Sequence, residues 1–229
     1  MKHEKIHLKD HFSFLGNNNA DPTLSIYLPY NSVEMNRQND KRPCVVICPG
    51  GGYGAISMRG EGFALAEYFK SIGVTALVLK YRLPNYGHKE VPLEDAQAAL
   101  KYLRKNAKKL GFDPAKVGIA GSSAGGHLAA YTSTYTPDAE KPAFTVLFYP
   151  VITAESCMTH QGTFDRLLGK RQPPYMRDQY SLNNKVTPTT PPTILILSDD
   201  DMSVPAGGAA IYYAALRYHG VKASMYIFP

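Results

Sequence analysis

In this chain of 229 residues, the side chain best set for covalent chemistry is the serine at the centre of Gly121-Ser122-Ser123-Ala124-Gly125. Ser123, and not Ser122, stands midway between two glycines in a G-x-S-x-G pattern. The apolar run Val117-Gly118-Ile119-Ala120 precedes it and small residues follow. The pattern predicts a nucleophile elbow, a serine on a sharp strand-to-helix turn. A residue held there is strained, and strain of this kind persists where it serves a function. Glycines at 121 and 125 carry no Cβ, so strand and helix can close around the turn. A serine hydroxyl attacks only when a base takes its proton and aimed donors receive the charge that develops on the substrate. The elbow supplies one such donor, the backbone N–H of Ala124. The run Pro49-Gly50-Gly51-Gly52-Tyr53, directly after an apolar strand, offers more.

An acid is expected at the end of a later strand, and Ser198-Asp199-Asp200-Asp201-Met202-Ser203-Val204-Pro205 lies in that position. Asp201 is favoured because D-x-x-V-P leads into a helix; Asp200 is the alternative. No further oxygen ligands are patterned with the aspartates, so neither a metal nor a cofactor is expected. The base of such a site follows the acid in sequence. Only His219 does so, and it falls at the end of a predicted helix rather than after the last strand. There the sequence reads Tyr226-Ile227-Phe228-Pro229 and stops, so the chain is expected to lack its base and to be truncated. His127, one turn after Ser123, reads as a structural hydrogen-bonding residue, and His88 as a rim residue.

These residues need elements to hold them. Strands are expected at Thr23–Leu28, Cys44–Cys48, Thr75–Leu79, the elbow strand after Asp113-Pro114, Phe144–Phe148, Thr193–Leu197 and Ala223–Phe228. Helices are expected at Gly62–Ile72, Pro92–Leu110, from the elbow to Tyr135, and at Ala206–His219, with a polar turn from Asn31 to Arg42. Continuous apolar strands alternating with helices predict an α/β domain with a mostly parallel, doubly wound sheet covered on both faces. Residues 151–192, rich in Pro, Asn and Thr with one short helix near Phe164–Leu168, break the rhythm and are expected to form a small cap within a single domain, 1–229.

Composition narrows the setting. The net charge of +6 has an ordinary source. Lys101, Arg104, Lys105, Lys108 and Lys109 form the wet face of a helix whose apolar stripe is Leu93, Ala96, Leu100, Leu103 and Leu110, so no nucleic-acid partner is expected. No apolar run approaches a membrane span and no signal core opens the chain. Cys44 and Cys48 stand four apart in a strand, about 13 Å between Cα atoms, too far for a disulfide. Reduced thiols and a cytoplasmic setting are therefore expected. Sixteen tyrosines suit a carbohydrate or mixed-polarity ligand and equally serve as core and rim.

Taken together the chain resembles α/β-hydrolase-fold serine esterases, the acetyl xylan esterase and feruloyl-esterase-like carbohydrate esterases. The resemblance rests on Pro49-Gly50-Gly51-Gly52-Tyr53, Ser57-Met58-Arg59-Gly60-Glu61-Gly62, Leu79-Lys80-Tyr81-Arg82-Leu83, Gly121 to Leu128, Thr190-Pro191-Pro192-Thr193, and Asp200-Asp201 before Val204-Pro205. It implies removal of acetyl groups from sugars through an acyl-enzyme on Ser123. It also implies an oxyanion hole of Gly51, Gly52 and Ala124, Asp201 as the acid, and a base from a C-terminal Phe-Pro-x-Gly-Gly-His segment of which only Phe228-Pro229 is present. Tyr53, Arg59 and Glu61 are expected either to line the acyl or sugar pocket or to prop the glycine loop. The expected partner is a small acylated sugar, with self-association into a homo-oligomer left open. Two other readings remain: an amidase or peptidase of the same fold, and a binding protein that keeps the pocket without the base.

Overall fold

The computed structural model describes residues 5–15, 20–30, 42–85 and 88–229. The turn expected from Asn31 to Arg42 lies outside them except for Arg42. Among the described residues eight strands form one sheet: β1 (Lys5–His7), β2 (Thr23–Tyr27), β3 (Arg42–Cys48), β4 (Thr75–Lys80), β5 (Phe112–Ser122), β6 (Thr145–Phe148), β7 (Thr193–Ser198) and β8 (Ala223–Phe228). Their order is β1-β2-β4-β3-β5-β6-β7-β8. β1 and β2 are antiparallel to their neighbours, and all the other pairings are parallel.

The apolar run of β3 follows from burial on both faces. Cys44, Val46 and Cys48 join the larger core, with side chains of α2 (Val91–Leu110), α3 (Ala124–Tyr135) and α6 (Ala206–Tyr218). Val45 and Ile47 face the other way, against α1 (Ala64–Ser71). The helix expected from Gly62 is preceded by a π-helical turn, Met58–Phe63. Asp113-Pro114 lies inside β5 as an irregularity. Phe112 pairs with Arg42 and Val117 with Cys44, so four residues of β5 stand opposite one of β3. Asp113 Oδ1 accepts the Ala115 N–H at 2.9 Å and closes the turn there.

Residues 151–192 hold more helix than their composition suggests: α4 (Gln161–Leu168), α5 (Pro174–Gln179) and a 3-10 turn at Leu182–Lys185. Phe164 and Leu167 anchor this insertion in the main core. At β7 and β8 the α1 side of the sheet is open: Ile194, Tyr226 and Phe228 are 41%, 53% and 56% exposed. Among the described residues no helix is long and apolar enough to cross a membrane.

Candidate active site

The parallel strands all end at one edge of the sheet, and the loops leaving them meet there. Because β3, β5, β6 and β7 are neighbours in that order, the glycine loop, Ser123, Tyr149 and the aspartates come side by side. Ser123 has φ 53° and ψ −122°, a conformation that L side chains rarely adopt. Its backbone is locked into it. The N–H donates to Phe148 O at 3.1 Å, and its carbonyl accepts from the N–H groups of His127 and Val151, both at 3.1 Å. Strained serine backbone at the mouth of α3 is the geometry the G-x-S-x-G spacing predicts.

The turn closes because Gly125 lies against β3: a Cβ there would stand 2.0 Å from Cys48 O. On the other side, a Cβ on Gly50 would stand 2.9 Å from Ser123 Cβ. The glycine loop is therefore packed directly on the serine. Gly51 and Gly52 have φ of 129° and 59°, and none of the hydrogen bonds of the described residues takes their N–H groups. The Ala124 N–H opens α3, where the first turn has no intrahelical acceptor and the helix dipole favours negative charge.

Glu61 and Tyr149 brace this loop. The Gly50 N–H donates to Glu61 Oε2 at 2.5 Å. Burial raises the Glu61 carboxyl above its ordinary range, and its bonds from Gly50 and Tyr149 partly offset that. Tyr149, the residue after β6, has φ 34°; its hydroxyl meets the side chains of Glu61 and Ser122, and it feels the charge of Asp201. Arg166 of α4 reaches across from the insertion and donates through Nη1 to Gly52 O and Gly162 O, each at 3.3 Å. His160, which precedes α4, lies beside the same loop: its Cε1 would be 3.5 Å from a Cβ on Gly52.

Of the expected pocket residues, Tyr53 points inward. It is 2% exposed, and its hydroxyl donates to His127 Nδ1 at 3.0 Å. His127 Nε2 must carry the ring proton, because its partner at 3.0 Å is the Tyr180 carbonyl. Burial pushes the imidazole down to about 4, so it is neutral and both nitrogens are occupied. Tyr53 and His127 thus support the loop from below. Arg59 is exposed on the π-helical turn.

Asp201 is half-buried whereas Asp199 and Asp200 are exposed. Asp201 Oδ1 accepts the N–H groups of Ser203 and Val204 at 2.8 and 2.9 Å, fixing the entry to α6. Asp200 Oδ1 accepts from the Ser198 hydroxyl at 2.6 Å. His219 caps the far end of α6, where β8 begins, so a strand length of about 20 Å separates it from the edge carrying Ser123.

Sequence reasoning does not single out Tyr149, Arg166 or His160. Tyr149 carries a legible signal, its place directly after an apolar strand. Arg166 and His160 carry none, because nothing in a Pro-, Asn- and Thr-rich stretch says which strand end it crosses.

The profile of the alpha/beta hydrolase fold family matches residues 45–228. The chain is 36% identical to the acetylxylan esterase of Xylanibacter ruminicola over 196 residues, 84% of this chain and 41% of that protein. It is 30% identical to endo-1,4-beta-xylanase B of Butyrivibrio fibrisolvens over 241 residues, 99% of this chain and 36% of that protein. The chain thus spans about two fifths of the length of these relatives. The crystal structure of an acetyl ester-xyloside bifunctional hydrolase from Caldicellulosiruptor lactoaceticus superposes with a TM-score of 0.87 at 33% identity, covering 99% of this chain and 85% of that one.

Proposed function

The chain belongs to the alpha/beta hydrolase fold family, and from that premise we propose that it is the catalytic domain of a serine esterase removing acyl groups, acetyl foremost, from carbohydrates such as xylo-oligosaccharides. One observation carries the reading. A strained serine lies against a glycine loop whose Gly51 and Gly52 N–H groups have no acceptor among the described residues. Donors left open beside a nucleophile suit an oxygen that gains charge during the reaction.

In this reading Ser123 Oγ attacks the ester carbonyl carbon while a base takes its proton. The carbonyl oxygen becomes an oxyanion between the N–H groups of Gly51, Gly52 and Ala124. The C–O bond to the sugar then breaks and the sugar hydroxyl leaves with that proton. Water attacks the acyl-Ser123 ester by the same route and releases the acid. Asp201 holds the base imidazole in register and balances its charge. Glu61, Tyr149 and Arg166 keep the donors aimed.

His127 is sealed in the core and His219 lies at the opposite edge of the sheet, so neither fits the base. The resemblance puts the base in a segment after Phe228-Pro229, and the second reading is a binding protein with the same pocket and no turnover. Treatment of the chain with a fluorophosphonate, read by mass spectrometry, separates the two. Labelling at Ser123 that disappears in Ser123→Ala, with acetate released from acetylated xylo-oligosaccharides, supports the esterase. A folded chain extended by the Phe-Pro-x-Gly-Gly-His segment that the resemblance implies, if it stays unlabelled and releases no acetate, sinks it and leaves the binding reading.

A further inference from the structure

A cavity of about 950 Å³ opens beside the glycine loop, between the π-helical turn and the antiparallel edge of the sheet. The candidate catalytic residues do not line it; it adjoins the glycine loop through neighbouring residues. Ile56 and Met58 line it from the turn after the loop, and between them the Ser57 N–H donates to Gly50 O at 2.9 Å. Tyr81 lines it from below and donates its hydroxyl to Pro49 O at 2.8 Å.

The opposite wall is cationic because of strand register. His7 pairs with Thr23 and Thr23 with Lys80, so these three side chains share one face, and Lys5 joins them two residues before His7. Lys5 and Lys80 are in no ion pair among the described residues. Asp21, the one carboxylate on the wall among the described residues, is hydrogen-bonded to His7 Nδ1. Arg82 is committed to Asp95, 2.7 Å away. Two ammonium groups therefore remain without counter-ions among the described residues, facing an apolar wall that adjoins the loop.

We propose that this cavity is a subsite for a sugar bearing an anionic substituent, foremost the carboxylate of a uronic acid, with the sugar on Ile56 and Met58 and the anion on Lys5 and Lys80. The inference rests on the esterase reading only in making the ligand a carbohydrate. An apolar wall opposite paired cations selects a ligand with one hydrophobic face and one charged end.

Isothermal titration of the full chain with xylotriose, with xylotriose bearing glucuronic acid, and with glucose 6-phosphate tests it. The uronic sugar should bind about tenfold more tightly than the neutral one at low salt, the gap narrowing in 0.5 M NaCl as screening grows. Lys5→Gln with Lys80→Gln should erase the gap. A gain for the phosphate sugar alone keeps the anion site and assigns it to phosphate. Equal binding of neutral and charged sugars, no binding of either charged sugar, or a gain that survives both substitutions overturns the proposal. Labelling of Ser123 without charge preference overturns this inference alone; charge-selective binding with no labelling, even in a chain carrying the base segment that the resemblance implies, overturns the esterase reading alone.

Discussion

Asp201 and His127 owe their roles to what surrounds them rather than to residue type. Asp201→Asn keeps an Oδ1 that can accept from Ser203 and Val204, so the turn survives while the negative charge is lost. On the esterase reading, in a chain carrying the base segment that the resemblance implies, hydrolysis of p-nitrophenyl acetate should then fall by about 10³- to 10⁴-fold, with the urea midpoint unchanged. Asp200→Asn, at an exposed position, should stay within about threefold. His127 gives a stability prediction. Its folded value of about 4 lies below the ordinary 6.5, so the unfolded chain binds more protons between those values. Stability from this residue is full above pH 6.5 and is lost as pH falls toward 4. Between pH 7 and pH 5 the loss should be about 2 kcal/mol. Urea denaturation at the two pH values measures it, and His127→Gln should flatten the dependence. An equally steep slope in that variant would assign the pH effect elsewhere.

At the scale of elements, the site depends on how closely α3 approaches β3. Gly125→Ala puts a methyl group 2.0 Å from the Cys48 carbonyl, where only backbone can move. It should destabilise the fold by about 3 kcal/mol or more, beyond the usual cost of overpacking. Gly111→Ala is the control. Gly111 ends α2 with φ 74°, and a methyl group there would meet nothing within 4 Å, so only the left-handed conformation is penalised, at about 1–2 kcal/mol. Denaturation midpoints followed by circular dichroism rank the two; a reversed order would contradict the close approach of helix to strand. The insertion acts at this scale too, since Arg166 ties α4 to the Gly52 carbonyl and so couples the insertion to the glycine loop.

Over the whole molecule, the sheet is covered unevenly. One face is sealed by α2, α3 and α6, while on the other α1 leaves the β7–β8 end open. Register puts Ile196 beside Tyr226 and Ser198 beside Phe228, with Ile194 further along the same side. An apolar patch of this kind drives association. The chain should bind the dye ANS and grow in mean particle size with concentration. Ile194→Thr with Tyr226→Thr should reduce both, read by dye fluorescence and light scattering. A monodisperse chain that binds no dye would show the patch to be inert.

Local chemistry was enough to read the elbow at Ser123, the apolar strands and the glycine loop from the sequence. G-x-S-x-G fixes a turn within five residues, and a strand buried on both faces must be apolar throughout. The turn at Asp201 was legible for the same reason, since its entry into α6 is closed by bonds within three residues. The remainder needed the tertiary structure. Tyr53 could face a substrate or the core, and packing against His127 turned it inward; Glu61 could line a pocket or hold the loop, and it holds Gly50. Arg166 reaches Gly52 across 114 positions of chain, and Lys5 meets Lys80 only through β2. Contacts between distant residues depend on the crossing of elements and the register of strands, and no local run of residue types encodes either.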